Sequence, residues 1–379
     1  MKKFTKFLAF ALAVTMSMTA LVGCGGGASE PAADADKAAE ASDTAEATKV
    51  GFIYIGSQND GGYSQAQHNG TKAVKEYFGD KVETIIAENV AEDKQTVKTT
   101  AINMIDQGAS IVIGTSFGFM DALEELATEY PDVTFLHFSG NKMNDTNFGN
   151  YFGAMEEPRY LTGMIAGMMT KTNKLGYVAA FPYTEVHIGV NAFALGAQSV
   201  NPDVEVKVVY TNSWGDPAGE KAAAESLLAQ DCDIITQHAD SAGPQLAAEA
   251  AGKLAIGYNL DNSEIVPGAF LTAPVWHHDK YLVPTIEKII AGTYVPESYY
   301  GTMKDGYIGL APMTDLVPQD VQDKVNEVAA KMEAGEYPVF VGPISDTKGN
   351  VLVAEGETLD RAGIWTVMQT LVKGVSAVE

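Results

Sequence analysis

The chain has 379 residues, 46% of them apolar, with 49 acidic side chains against 25 basic ones and a formal charge of −24. That length allows two domains with sizeable cores. The charge argues strongly against nucleic acid or an anionic membrane face as a partner, because both would repel it.

Residues 1–23 begin with Lys2, Lys3 and Lys6 and continue as an apolar run from Phe7 to Val22. The run is too short for a membrane-spanning helix of about 20 residues and has the form of a signal peptide. It ends in Leu21-Val22-Gly23-Cys24, which resembles a bacterial lipobox. That pattern implies cleavage before Cys24 and lipid on its thiol and new amino group. Residues 24–48 follow, rich in Ala, Asp and Glu and without aromatic or branched aliphatic side chains. Such a stretch cannot bury enough apolar surface to offset the entropy of folding, so a flexible tether is expected. Gly25 after the Cys carries no Asp retention signal, and the long acidic tether resembles Gram-positive lipoproteins. The expected location is therefore the extracytoplasmic face of the cell membrane. With Cys24 lipidated, Cys232 is the one remaining thiol, and its setting in Asp-Cys-Asp-Ile-Ile reads as a small buried hydrophobe.

From residue 49 onward, short Val/Ile-rich runs alternate with longer amphipathic stretches. The pattern predicts strands at 49–56, 81–87, 111–114 and 133–138, with helices at 63–78, 92–107 and 119–129 between them. The same rhythm restarts with a helix at 160–170 and a strand at 174–181. Helices at 186–200, 218–229 and 243–251 alternate with strands at 204–210, 233–236 and 254–258. A strand at 270–273 then leads back towards the first half, followed by a helix at 279–291. Repeated βα units imply parallel sheets covered by helices on both faces, and two such runs imply two similar domains.

Ligands of parallel sheets bind beyond the carboxyl ends of the strands. The loops there carry polar groups or aromatics from both halves: Asn59, Asp60 and Tyr63 after the first strand, and Ser116 and Phe117 after the third. The second half supplies Glu185, Trp214, Asp240, Asn259 and, near the return crossing, Trp276. Their convergence points to a cleft site. Several have bland alternatives. Asp60 and Asp240 suit helix caps, Glu185 suits a first-turn acid, and Phe117 is equally suited to a core. His277-His278 reads as a solvated helix start, since adjacent histidines on a helix point apart and no further ligand lies at metal spacing. No GxGxxG, P-loop or GxSxG is present, and no cofactor is expected. The carboxylates are scattered singly, with no cluster of the kind a nucleoside-cleaving enzyme uses, so a binding protein is expected and not an enzyme.

The segments KVGFIYIG, NDGGYSQAQHNG, GTSFGFMD, EEPRYLTGMIAG, KLGYVAAFPYTEV, TNSWGDPAGE, QHADS and IGYNLDN together resemble the Bmp family of lipoproteins, over about Lys49 to Ala311. That family includes purine nucleoside receptor lipoproteins, the substrate-binding components of ABC importers. The resemblance implies a type I periplasmic binding protein fold: two doubly wound parallel-sheet lobes joined by about three hinge strands. It also implies a membrane permease as partner, and monomer is the default state of the class. The implied lobes are 49–153 plus about 276–311, and 154–275 plus about 312–379. In nucleoside-binding members an Asp in the first loop contacts the ribose, an aromatic three residues on stacks on the base, and a second aromatic before Asp-Pro covers the other face. Asp60, Tyr63 and Trp214 occupy those positions. Where such receptors carry Asp and Lys, this chain has Asn259 and Trp276, which makes the site less charged and more aromatic. The implied ligand is a purine, with nucleobase and nucleoside both open.

Overall fold

The computed structural model describes residues 46–378; the signal, Cys24 and most of the tether lie outside them. In chain order the elements begin β1 Thr48–Ile53, α1 Tyr63–Phe78, β2 Val82–Ala87, α2 Lys94–Asp106 and β3 Ala109–Gly114. Next come α3 Met120–Glu129, β4 Thr134–Phe138, β5 Phe148–Gly153 and α4 Glu156–Met169. The second half follows as β6 Lys174–Ala179, α5 Thr184–Val200, β7 Glu205–Tyr210, α6 Pro217–Leu228, β8 Ile234–His238, α7 Gly243–Ala250 and β9 Leu254–Ala255. Then come β10 Pro274–Trp276, α8 Asp279–Ile290, β11 Ser298–Gly301, β12 Ile308–Leu310 and α9 Gln319–Glu333. The chain closes with β13 Ile344–Ser345, β14 Val351–Val353, α10 Arg361–Val367 and β15 Val375–Ala377.

Two parallel sheets organise these elements. The first has the order β11-β5-β4-β3-β1-β2 and the second β15-β7-β6-β8-β9. Val50, Ile111, Ile113, Val206 and Val208 are fully buried, as central parallel strands with helices on both faces require. Helices α1, α2, α3 and α8 cover the first sheet, and α5, α6 and α7 cover the second. We call these halves lobe 1 and lobe 2. The chain passes between them after β5 and through the antiparallel pair β10 and β12.

Local chemistry sets the helix starts. Asp93 caps α2 through the Thr96 N–H, and Asp216 caps α6 through the Gly219 N–H, with Pro217 at the first helical position. Helix α4 starts at Glu156, four residues before the sequence reading places it. Pro158 falls in its first turn, where the missing N–H costs nothing. Strand β5 is absent from the sequence reading because Gly149 and Gly153 interrupt its apolar pattern, yet every residue in it is buried. The return strand lies at β10, later than the predicted 270–273. Residues 269–272 instead hydrogen-bond alongside 255–257, and a run this uniformly apolar carries no period to fix an edge.

Candidate ligand-binding cleft

The strand ends of the two lobes face one another across a cleft of about 980 Å³. In lobe 1, Tyr63 opens α1, Ser116 and Phe117 follow β3, and Phe138 ends β4. The Tyr63 hydroxyl donates to the Thr115 carbonyl, and its ring centroid lies 6.0 Å from that of Phe138. The ring nitrogens of His137 lie 2.8 Å from Ser116 O and 2.7 Å from Ser139 O, which ties the loops after β3 and β4 together. Burial lowers this imidazole to about 4, while the two carbonyl contacts act in the opposite direction. Phe117 stands 53% exposed at the mouth.

Lobe 2 presents Trp214, Glu185, Asp240, His238 and Tyr258. Trp214 packs edge-on to Phe181 at 5.4 Å, and Phe181 stacks on Tyr183 at 5.0 Å and 7°. The Asp240 N–H donates to the Trp214 carbonyl at 2.9 Å, which joins the loops after β7 and β8. Glu185 lies in the first turn of α5 and accepts 3.2 Å from Ser139 Oγ of the opposite lobe. Burial raises its carboxyl to about 7. Burial, then the Glu220 carboxylate, pushes Asp240 well above the usual range. Both therefore hold a proton far more readily than surface acids do. His238 goes the other way, held neutral by burial and by Arg159. Arg159 is fully buried, donates to Gln237 O at 2.6 Å and lies 3.9 Å from the centroid of Tyr258.

At the hinge, Trp276 is buried among Phe138 (5.0 Å, 84°) and Phe152 (5.3 Å), and donates its Nε1–H to Asn259 Oδ1 at 3.0 Å. Asn259 sits at φ 72°, a conformation Asn tolerates better than most residues. The lobes also touch directly. Asn262 Nδ2 donates to Gly61 O at 3.3 Å, and a side chain at Gly62 would overlap the Asp240 carbonyl oxygen. Gly61 itself has φ 72°. The pair is thus needed for a backbone-to-backbone approach between lobes.

Of the residues singled out from sequence, Tyr63, Ser116, Phe117, Glu185, Trp214, Asp240 and Trp276 line the cleft. Asn59, Asp60 and Asn259 do not. Asn59 is exposed on its loop. Both Asp60 oxygens are occupied by backbone N–H groups, Gly62 (2.9 Å) and Gln65 (3.0 Å) on one and Ser64 (2.8 Å) on the other. From two residues before the N-cap Gly62, it satisfies the free N–H groups at the start of α1. Asn259 acts one step back, through Trp276. His278 is not a solvated residue: it is buried, stacks on Trp276 at 5.7 Å and 9°, and lies 3.1 Å from the Tyr307 hydroxyl. Burial lowers it to about 3. The sequence reading passed over Phe138, Phe152, Tyr183, His238, Tyr258, Arg361 and Trp365 as site residues, and all line the cleft. A usable signal existed for one of them: the chain has three tryptophans, and all three face this space. Among the described residues no group of three or more His, Cys, Asp or Glu side chains is placed to hold a metal ion, and no helix is long and apolar enough to cross a membrane.

The family model described as "ABC transporter substrate-binding protein PnrA-like", that of the Bmp family, matches residues 47–339. A purine-binding protein of Brucella abortus is 39% identical over 315 residues, 83% of this chain and 89% of its own length. A putative ABC transporter glucose-binding protein of Haloferax volcanii is 35% identical over 299 residues, 78% of this chain and 75% of its own length. Among solved structures, an ABC transporter solute-binding protein of Aeropyrum pernix matches with a TM-score of 0.67 at 18% identity, over 76% of this chain and 92% of that one. That likeness concerns the fold, the type I periplasmic binding arrangement of two α/β lobes. This chain belongs to the Bmp family of ABC transporter substrate-binding proteins, the extracytoplasmic components that present a small ligand to a permease.

Proposed function

We propose that the chain captures a purine, as nucleobase or nucleoside, between its lobes and delivers it to the permease without chemical change. The observation that carries this is the pairing of aromatic surfaces from both lobes with carboxyls set between them. Tyr63, Phe117 and Phe138 stand on one side and Trp214 and Tyr183 on the other, with Glu185 and Asp240 inside. A purine is a flat π surface with polar edges, and stacking on aromatic side chains contributes about 1–3 kcal/mol per base. Carboxyls suit its amino and ring N–H donors, and in a nucleoside the ribose hydroxyls. The Brucella relative is named for purine binding and is the more similar of the two curated relatives above.

The Haloferax relative favours a second reading, a hexose such as glucose. Sugars also stack on aromatic rings and hydrogen-bond to carboxylates. Calorimetric titration separates the readings. Residues 25–379 with Cys24 omitted, unfolded and refolded to strip carried ligand, are titrated with adenine, hypoxanthine, guanine, xanthine, adenosine, inosine, guanosine and glucose. Binding of a purine supports the proposal and decides base against nucleoside. Binding of glucose alone overturns it. Incubation with inosine should release no free base.

The lipid anchor belongs to the same proposal. Cleavage before Cys24 and acylation there would leave residues 25–48 as the tether that holds a monomeric receptor at the membrane. Mass spectrometry of the protein extracted from membranes tests this: a diacylated Cys24 at the amino terminus is the expected result.

A further inference from the structure

The family model ends at residue 339, yet the chain after it enters the cleft. Asp360, Arg361 and Trp365 all line it. The segment is first fastened to lobe 2. Strand β15 extends the second sheet beside β7, with Val375 opposite Val206. Asn191 of α5 donates to Thr370 O at 2.9 Å and accepts from the Val372 N–H at 3.0 Å. Gln198 of the same helix donates to Lys373 O at 3.0 Å. Helix α10 is capped by Asp360 through the Gly363 N–H (2.8 Å) and anchored by Ile364 and Met368, which are buried one turn apart.

From that base the segment reaches lobe 1. Arg361 Nη1 donates to Ser298 O at 3.3 Å, and its guanidinium lies 4.2 Å from the centroid of Tyr300. Ser298 and Tyr300 belong to β11, an edge of the first sheet. Trp365 meets Phe152 edge-on at 6.3 Å, which extends the hinge aromatics Phe138, Trp276 and Phe152 by one more ring. It also borders a narrow recess shared with Glu185, His238 and Tyr258. An indole kept half-open beside a carboxyl and a neutral imidazole has an apolar face that packing within the protein leaves partly uncovered. A flat heteroaromatic ring with an edge donor on Glu185 would cover it.

We propose that residues 340–378 are a specificity element of the cleft, with Trp365 a ligand-contacting residue that covers the purine next to Glu185. The inference rests on the purine reading above. The test compares the refolded chain with Trp365→Ala and Trp365→Leu, titrated with the purine panel, alongside thermal melting without ligand. Trp365→Ala should lower purine affinity about tenfold or more, with Trp365→Leu intermediate, while the ligand-free melting temperature moves little. Unchanged affinity in Trp365→Ala, with the parent chain binding a purine, overturns the inference and leaves the purine reading standing. If Trp365→Ala fails to fold, Trp365→Leu decides: weakened affinity supports the contact and unchanged affinity overturns it. Silence of the parent chain towards every purine overturns both.

Discussion

The two walls of the cleft differ in how much of their polar chemistry is already spent. In lobe 1 the Tyr63 hydroxyl, Ser116 and His137 are committed to backbone carbonyls or to Glu92, and Asp60 is committed to three N–H groups. What that wall offers a ligand is mostly aromatic surface. In lobe 2 the Asp240 carboxyl makes no side-chain hydrogen bond among the described residues, and Glu185 makes one. That wall offers a stacking ring together with groups still free to read a ligand's edge. On the proposed reading, one wall would supply shape and the other would discriminate.

The largest expected effect attacks the closure that brings the walls together. Gly62→Ala places a methyl against the Asp240 carbonyl, and overpacking of that kind costs about 1–3 kcal/mol, so ligand affinity should fall up to about a hundredfold. Titration measures the loss, and small-angle scattering should show less compaction on adding ligand. An unaffected variant would mean that the lobes need not meet there. Next in size is Trp214→Ala, which removes the stacking ring of the reading wall. Purine affinity should drop about tenfold or more, without unfolding, since Trp214 is only partly buried.

A third test uses acidity. Glu185 titrates at about 7 against an ordinary 4.5, because burial disfavours its charge. Between those pH values the folded chain binds more protons than the unfolded one. Stability therefore falls as pH rises from 4.5 towards 7 and stays at the lower level above. Glu185→Gln should melt at a higher temperature than the parent at pH 8, by about 1–3 kcal/mol of stability, and the gap should vanish near pH 4. Glu156 and Glu157 shift in the same direction but are present in both proteins and cancel in the difference, which reports Glu185 together with Asp240, whose carboxyl the Glu185 charge helps to raise. The smallest effect is the one that separates a cap from a ligand contact. Asp60→Ala should cost about 1 kcal/mol of stability in thermal melting. Its effect on purine affinity should stay below that of Trp214→Ala; a loss larger than that would return Asp60 to the ligand.

Strands β1 to β4 and β6 to β9 were legible because a buried parallel strand must be a short apolar run and its covering helix must be amphipathic, whereas the sheet edges β11 and β15 were not predicted. Tyr63–Phe78 appears in the structure with the bounds that its pattern implies. Strand β5 was not legible, since its glycines mimic a loop until the neighbours that need them are in place. In the cleft, loop residues such as Trp214 and Glu185 could be found by their place after a strand. Phe138 and Phe152 could not, because an aromatic at a strand end looks the same whether it faces a core or a cavity. Asp60 shows the opposite failure: a carboxylate after a strand also suits the first turn of the next helix, and three N–H groups claim it here. Trp365 was signalled only by its being one of three tryptophans, because α10 comes to the cleft through the tertiary attachment of β15 to β7.

The most direct test is a crystal structure of residues 25–379 grown with the tightest-binding purine. The expected result places the base against Trp214 with lobe 1 aromatics on its other face, and its polar edge on Glu185 or Asp240. A purine lying outside the cleft, or a cleft that holds a sugar in its place, would contradict the proposed division between the two walls.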